Sequence, residues 1–113
     1  MKRDLDLIRK ILLTIEDAPN GYAPDLKIDG YTDEQVGYHA YLIINAGLAV
    51  GEDVSSIGTN SPEGMITNLN WAGHEFAEAA RDDTRWKKAM NIVKDKSGSV
   101  TMDVLKELLT SLM

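Results

Sequence analysis

Two histidines, His39 and His74, and a scatter of carboxylates are the residues of this chain best suited by type to metal or acid–base chemistry. His74-Glu75 opens like the helix of a zinc protease, in which two histidines four residues apart share one helical face, but position 78 is Glu78. A metal site would have to be completed by carboxylates such as Glu78. A histidine at the edge of the core, hydrogen-bonded and fixing helix packing, is the plainer expectation for both. There is no Gly-rich phosphate loop followed by Lys and Ser or Thr, and the carboxylates are spread over loops and helix ends instead of converging on one helical face. Cysteine is absent, which excludes disulfides, thiolate metal sites and cysteine nucleophiles. The expectation is therefore a protein that is not an enzyme, with no cofactor and no metal.

The distribution of charge is more informative. Residues 21–70 hold one cation, Lys27, against Asp25, Asp29, Asp33, Glu34, Glu52, Asp53 and Glu63, so this stretch carries the whole formal net charge of −6. Both flanks are neutral. A pI near 4.8 disfavours non-specific attraction to nucleic acid or anionic lipid. With 113 residues, 43% of them hydrophobic, the chain has the usual size of one domain and enough material for a core without metals or cross-links. No apolar run approaches a membrane span, and Asp4, Asp6, Arg9 and Lys10 interrupt the start where a signal peptide would need an apolar core, so a cytoplasmic protein is expected.

The elements that must position these residues follow from periodicity. Leu5, Ile8, Leu12 and Ile15 recur at helical spacing and predict a first helix over about 3–17, stopped by Pro19-Asn20-Gly21. Residues 20–31 form a turn-containing connection in which Leu26-Lys27-Ile28 could make a short strand. Thr32 and Gln35 have capping-box spacing and Gly47 can supply a left-handed stop, so a second helix covers about 33–46. Its core stripe is Val36, Ala40, Ile43 and Ile44. The opposite face, with Glu34, Tyr38, Tyr41, Leu42 and Asn45, is also largely apolar.

Leu48-Ala49-Val50 predicts a strand, residues 51–64 a polar loop and Met65 to Leu69 a returning strand, which is the winged-helix order. Asn70 caps a helix through Arg81 with Ala72, Phe76, Ala79 and Ala80 inward; Asp82-Asp83-Thr84 interrupts it. A helix over about 85–95 packs through Trp86, Ala89, Met90 and Val93 and is stopped by Ser97-Gly98-Ser99. The last starts at Thr101, with a Val100–Leu105 staple, and runs through Leu108, Leu109 and Leu112. Trp71, Trp86, Phe76 and the last leucines are expected in the core, although the last helix could instead dimerise. The fold class is mostly α with a small β-hairpin: one winged-helix-like domain, helix-turn-helix and wing over about 1–70, with additional C-terminal helices over about 71–113.

The opening residues 1–9, the pair Tyr38-His39, Ala46-Gly47-Leu48, and above all Leu69-Asn70-Trp71-Ala72-Gly73-His74-Glu75-Phe76 resemble the small bacterial and prophage family catalogued as domain of unknown function 2513. The similarity extends through Arg81-Asp82-Asp83-Thr84-Arg85-Trp86 and Val104-Leu105-Lys106-Glu107-Leu108 and so covers nearly the whole chain. The resemblance implies a winged-helix-like fold and carriage by phages or mobile elements, and it brings no established activity and no catalytic residues.

A winged helix suggests DNA, yet a surface that docks on phosphates needs Lys and Arg, and the reading helix and wing fall in the acidic stretch. The expected role is binding of another protein, of unknown identity, through Asp33, Glu34, Glu52, Asp53 and Glu63 with the apolar anchors Tyr38, Tyr41 and Leu42. Those three anchors are expected to be at least half shielded, by residues 85–113 or by a second copy in a homodimer. The alternative is a DNA-binding transcriptional regulator, whose contacts would fall on Arg85, Lys87 and Lys88, where the basic residues are interleaved with Asp82, Asp83 and Asp95.

Overall fold

The computed structural model describes residues 1–95 and 100–113, so the stop expected at Ser97-Gly98-Ser99 lies outside the described residues. The chain is mostly α with a small β-hairpin, in the order α1 (Leu5–Glu16), α2 (Asp33–Asn45), β1 (Ala49–Asp53), β2 (Gly64–Leu69), α3 (Trp71–Ala80), α4 (Asp83–Asp95) and α5 (Met102–Ser111). This is the winged-helix-like order followed by additional C-terminal helices. It forms two compact units, Met1–His74 and Glu75–Met113.

Helix starts are set by side chains that satisfy orphan backbone donors. Asp4 caps α1 by accepting from Leu7 N–H at 3.1 Å. At α2 the capping box is complete: Thr32 Oγ1 accepts from Gln35 N–H and Gln35 Oε1 accepts from Thr32 N–H. Gly47, at φ +78°, closes the other end in the left-handed conformation that a side chain would strain. Asn70 Oδ1 accepts from Gly73 N–H at 2.8 Å, and Thr101 accepts from Val104 N–H at the head of α5.

In the first unit α1 turns Leu7, Ile8, Ile11, Leu12 and Ile15 inward, and α2 contributes Val36, His39, Ala40 and Ile43. α1 packs on α2, and α2 lies against both strands, whose inward residues are Ala49, Ile66 and Leu69. The antiparallel hairpin carries an irregularity after Val50: Val50 faces Asn68 and Gly51 faces Ile66, leaving Thr67 as the extra residue. Its carbonyl is not idle, because Ala23 N–H donates to Thr67 O at 2.8 Å. This single bond is what stands in place of the strand expected at Leu26-Lys27-Ile28, which does not form. One bond to a bulged residue leaves too little ladder for a strand. β1 in turn runs further than expected, through Gly51, Glu52 and Asp53. Gly51 permits this: a side chain there would collide with the carbonyl of Met65 and with Ile44.

In the second unit Phe76, Ala77, Ala79, Ala80, Trp86, Ala89, Val93, Leu105 and Leu109 are buried. α4 begins earlier than expected because Asp82 caps it, accepting from Arg85 N–H at 2.8 Å, so only Arg81 and Asp82 separate α3 from α4. Trp71 is a correction. It is 81% exposed, not core. The inward face of α3 is Gly73, Phe76, Ala77 and Ala80, and Trp71 lies roughly 140° round the helix from Phe76. Ala72, also expected inward, is only partly shielded.

Candidate interaction surface

Of the five acidic residues expected to share a surface, the fold brings three together. Asp33 and Glu34 occupy the first turn of α2, where carboxylates favour the positive end of the helix dipole. The wing loop, residues 54–63, returns to them. It is held by short polar side chains: Ser55 N–H donates to Asp53 Oδ1, Glu63 N–H to Ser55 Oγ, and Ser56 N–H to Thr59 Oγ1. Val54 N–H closes its base on Glu63 O at 2.9 Å. The Ser61 hydroxyl then donates to Glu34 Oε1 at 3.0 Å, tying loop to helix. Between them lies a notch of about 260 Å³ bordered by Asp33, Glu34, Gly37, Glu63 and residues 59–62.

Glu52 and Asp53 lie elsewhere. Both sit on β1, exposed, opposite Met65 and Gly64, and neither borders the notch. The Ser55 hydroxyl and N–H hold the Asp53 carboxyl below its ordinary value. Tyr38, Tyr41 and Leu42 are each more than half shielded, in a unit where α2 packs on α1, β1 and β2 instead of under the cover expected from residues 85–113 or a second copy; the rings of Tyr38 and Tyr41 stack with centroids 6.1 Å apart. They are therefore poor candidates for free anchors. The exposed large apolar side chains of the first unit are instead Tyr22, Val50, Ile57, Met65 and Trp71, along with Met1.

A second depression adjoins the notch and shares Asp33, Gly37 and Glu63 with it. Of about 490 Å³, it runs between residues 23–27, the α2 residues Val36, Gly37 and Ala40, and Val54 with residues 63–66. Two glycines on its border let α2 and the start of β2 approach closely. At Gly37 a Cβ would stand 3.0 Å from Glu63 Cγ, and at Gly64 it would lie 2.6 Å from the backbone nitrogen of Tyr41. Lys27 closes one rim through its Nζ, 3.1 Å from Asp33 Oδ1, and that hydrogen bond raises the ammonium pKa. The groove was not foreseen from the sequence. A glycine inside a helix, which costs about 1 kcal/mol against alanine, was the signal that backbone or side chain approaches closely at Gly37.

The histidines follow the plainer expectation in one case. His39 is 1% exposed; its Nδ1 donates to Gln35 O at 2.8 Å and its Nε2 accepts from Asp4 N–H at 2.9 Å. With both ring nitrogens engaged, it offers no lone pair to a metal. His74 is instead exposed, at the surface of α3, with Nδ1 3.2 Å from Glu16 Oε2. Among the described residues no group of three or more His, Cys, Asp or Glu is arranged to hold a metal ion. Arg85 and Lys88 border a depression of about 380 Å³ with Asp82, Thr84, Leu112 and Met113, while Lys87 lies outside it. Arg85 is half-buried, and its Nη1 has no hydrogen-bond partner among the described residues.

A family model described as hypothetical protein (DUF2513) matches residues 2–99. The chain belongs to this family. A relative from Haemophilus influenzae, itself described as an uncharacterized protein, is 37% identical over 111 residues, covering 96% of this chain and 92% of the relative. No solved structure matches. For this DUF2513 protein, as for that relative, the comparisons bring no activity. No helix among the described residues is long and apolar enough to cross a membrane.

Proposed function

We propose that this DUF2513 protein is a non-enzymatic, cytoplasmic accessory protein of a phage or mobile element that acts by binding another protein through its acidic face. The convergence of Asp33, Glu34 and Glu63 around one notch, in a stretch whose only cation is Lys27, carries this reading. Complementary charge on a partner would raise the association rate and make binding sensitive to salt. The test is affinity capture from a host lysate at low and moderate salt, with wild-type protein beside a D33N/E34Q/E52Q/D53N/E63Q variant. The expected result is one stoichiometric protein that is retained by wild type at low salt, weakened at moderate salt and lost with the variant. Recovery of no stoichiometric partner, or equal recovery by the variant, would overturn the reading.

The winged-helix-like order of elements favours a second reading, a DNA-binding transcriptional regulator. Docking α2 into a groove would set Asp33, Glu34 and Glu63 against the phosphates, leaving base contacts alone to supply affinity. Sub-micromolar, sequence-selective DNA binding at physiological salt would place this reading first. Weaker binding should instead map to Arg85, Lys87 and Lys88.

A further inference from the structure

We propose that Asn20, followed by Gly21, is a self-modification site at which the folded chain converts the asparagine into a mixture of aspartate and isoaspartate. The nucleophile is the Gly21 backbone nitrogen, the electrophile is Asn20 Cγ, and water is the co-reactant. Both residues are exposed in the connection that follows α1. Tyr22 N–H donates to Asn20 Oδ1 at 3.1 Å, and the ring closed by this bond contains both the Gly21 nitrogen and Asn20 Cγ. The same bond polarises the side-chain carbonyl and stands where it can stabilise the oxyanion formed on attack. The Gly21 N–H has no acceptor among the described residues. Gly21 has no side chain to block the approach, and the space around it is open.

The step balances without any group beyond these. Hydroxide takes the Gly21 amide proton, the nitrogen bonds to Cγ, the Cγ–Nδ2 bond breaks, and ammonia leaves with a proton from water. A cyclic imide remains. Water then opens it at Cγ, giving aspartate, or at the Asn20 backbone carbonyl carbon, giving isoaspartate, so the sum is asparagine plus water to acid plus ammonia. Either product adds one negative charge to a chain of formal net charge −6. In isoaspartate Cβ also joins the main chain, which lengthens the connection just before Ala23, whose N–H donates to Thr67 O at 2.8 Å.

The fold singles out Asn20 among the six asparagines. Asn45 closes α2 and the next N–H, of Ala46, is held by Leu42 O at 2.9 Å, while Asn91 lies within α4, where the helical ladder engages the next N–H. Asn68 donates through Nδ2 to Leu69 O, and Asn70 is fixed at both ends, to Gly47 O and by Gly73 N–H. Asn60 is exposed, but the side chain of Ser61 follows it.

Tryptic mass spectrometry of the full chain, sampled over several weeks in mildly alkaline buffer, tests the site. The expected result is a mass gain of about 1 Da on Asn20 before any other asparagine, with part of the product resisting an endoproteinase that cuts before aspartate, as isoaspartate does. Gly21→Ala, at a position with open space, should fold normally and convert at least about tenfold more slowly. Asn60→Ser should leave the rate at Asn20 unchanged. Because the exposed connection already has its nucleophile free, chain unfolded in guanidinium should convert at Asn20 no more than about threefold faster than the folded protein. Conversion at Asn60 as fast as at Asn20, an equal rate in Gly21→Ala, a much faster reaction only in the unfolded chain, or intact Asn20 after several weeks would each overturn the proposal.

Discussion

The backbone N–H of Asp4 donates to Nε2 of His39 at 2.9 Å, joining the cap of α1 to the middle of α2 across thirty-five positions of sequence. The other ring nitrogen is held by the Gln35 carbonyl, so the tautomer with its proton on Nδ1 is the one that fits both bonds. Replacing His39 by Leu would leave the Asp4 donor unmet and is expected to destabilise the protein by about 1–3 kcal/mol in urea unfolding. Faster hydrogen exchange at the Asp4 amide should accompany the loss. Unchanged stability and exchange would show that water serves that donor equally well.

Gly73 lies where α3 passes the carbonyl of Leu48, and a Cβ there would collide with that backbone oxygen. Alanine would gain up to about 1 kcal/mol of helix propensity but forces a backbone shift that costs about 1–3 kcal/mol. Gly73→Ala is expected to lower the melting temperature. Gly21→Ala, at a position with open space, serves as the control and should be close to neutral. A Gly73→Ala protein as stable as wild type would show that α3 is free to move.

The two tryptophans should part company. Trp71 is exposed and Trp86 is 4% exposed. Trp71→Ser is expected to change stability by less than about 0.5 kcal/mol, and Trp86→Ala to cost about 3–5 kcal/mol. In single-tryptophan proteins made with phenylalanine, iodide should quench Trp71 strongly and Trp86 weakly. Strong protection of Trp71 would reveal something covering it in solution, such as a second copy.

Alkaline pH should weaken the fold through Tyr31 and Lys27. Burial, with Asp4 and Asp6 nearby, raises the Tyr31 pKa, so the folded state favours the neutral phenol. Asp33 raises that of Lys27 through a direct hydrogen bond. For a group raised on folding, the stabilisation is full below its unfolded pKa and is lost as pH rises through the folded one. Stability is therefore expected to fall above about pH 10, the ordinary tyrosine value, and Tyr31→Phe should flatten part of that decline. An identical alkaline profile in Tyr31→Phe would remove Tyr31 from the account.

Local chemistry was legible in the sequence wherever a residue's role depends on its chain neighbours. Thr32 and Gln35, Gly47, Asn70 and Thr101 act through bonds within a few positions, so spacing alone placed four helix boundaries. Most of the inward stripes of α1, α2, α4 and α5 followed from periodicity, although Ile44, Met90, Leu108 and Leu112 are only partly shielded, and the excess of charge in residues 21–70 followed from composition. Tertiary structure decided what depends on residues far apart. Trp71 looks like core by type, but the face of α3 that turns inward was chosen by Gly73, where the helix must approach Leu48. Residues 26–28 look like a strand, but among the described residues no ladder forms there, and the connection bonds β2 through the Ala23 N–H on Thr67 O. Asp33, Glu34 and Glu63 are separated by almost thirty positions and meet because the wing loop folds back onto α2, whereas Glu52 and Asp53, equally acidic, stay on the strand. Charge is a property of composition, but a site requires convergence, and convergence is set by long-range packing that no local pattern encodes.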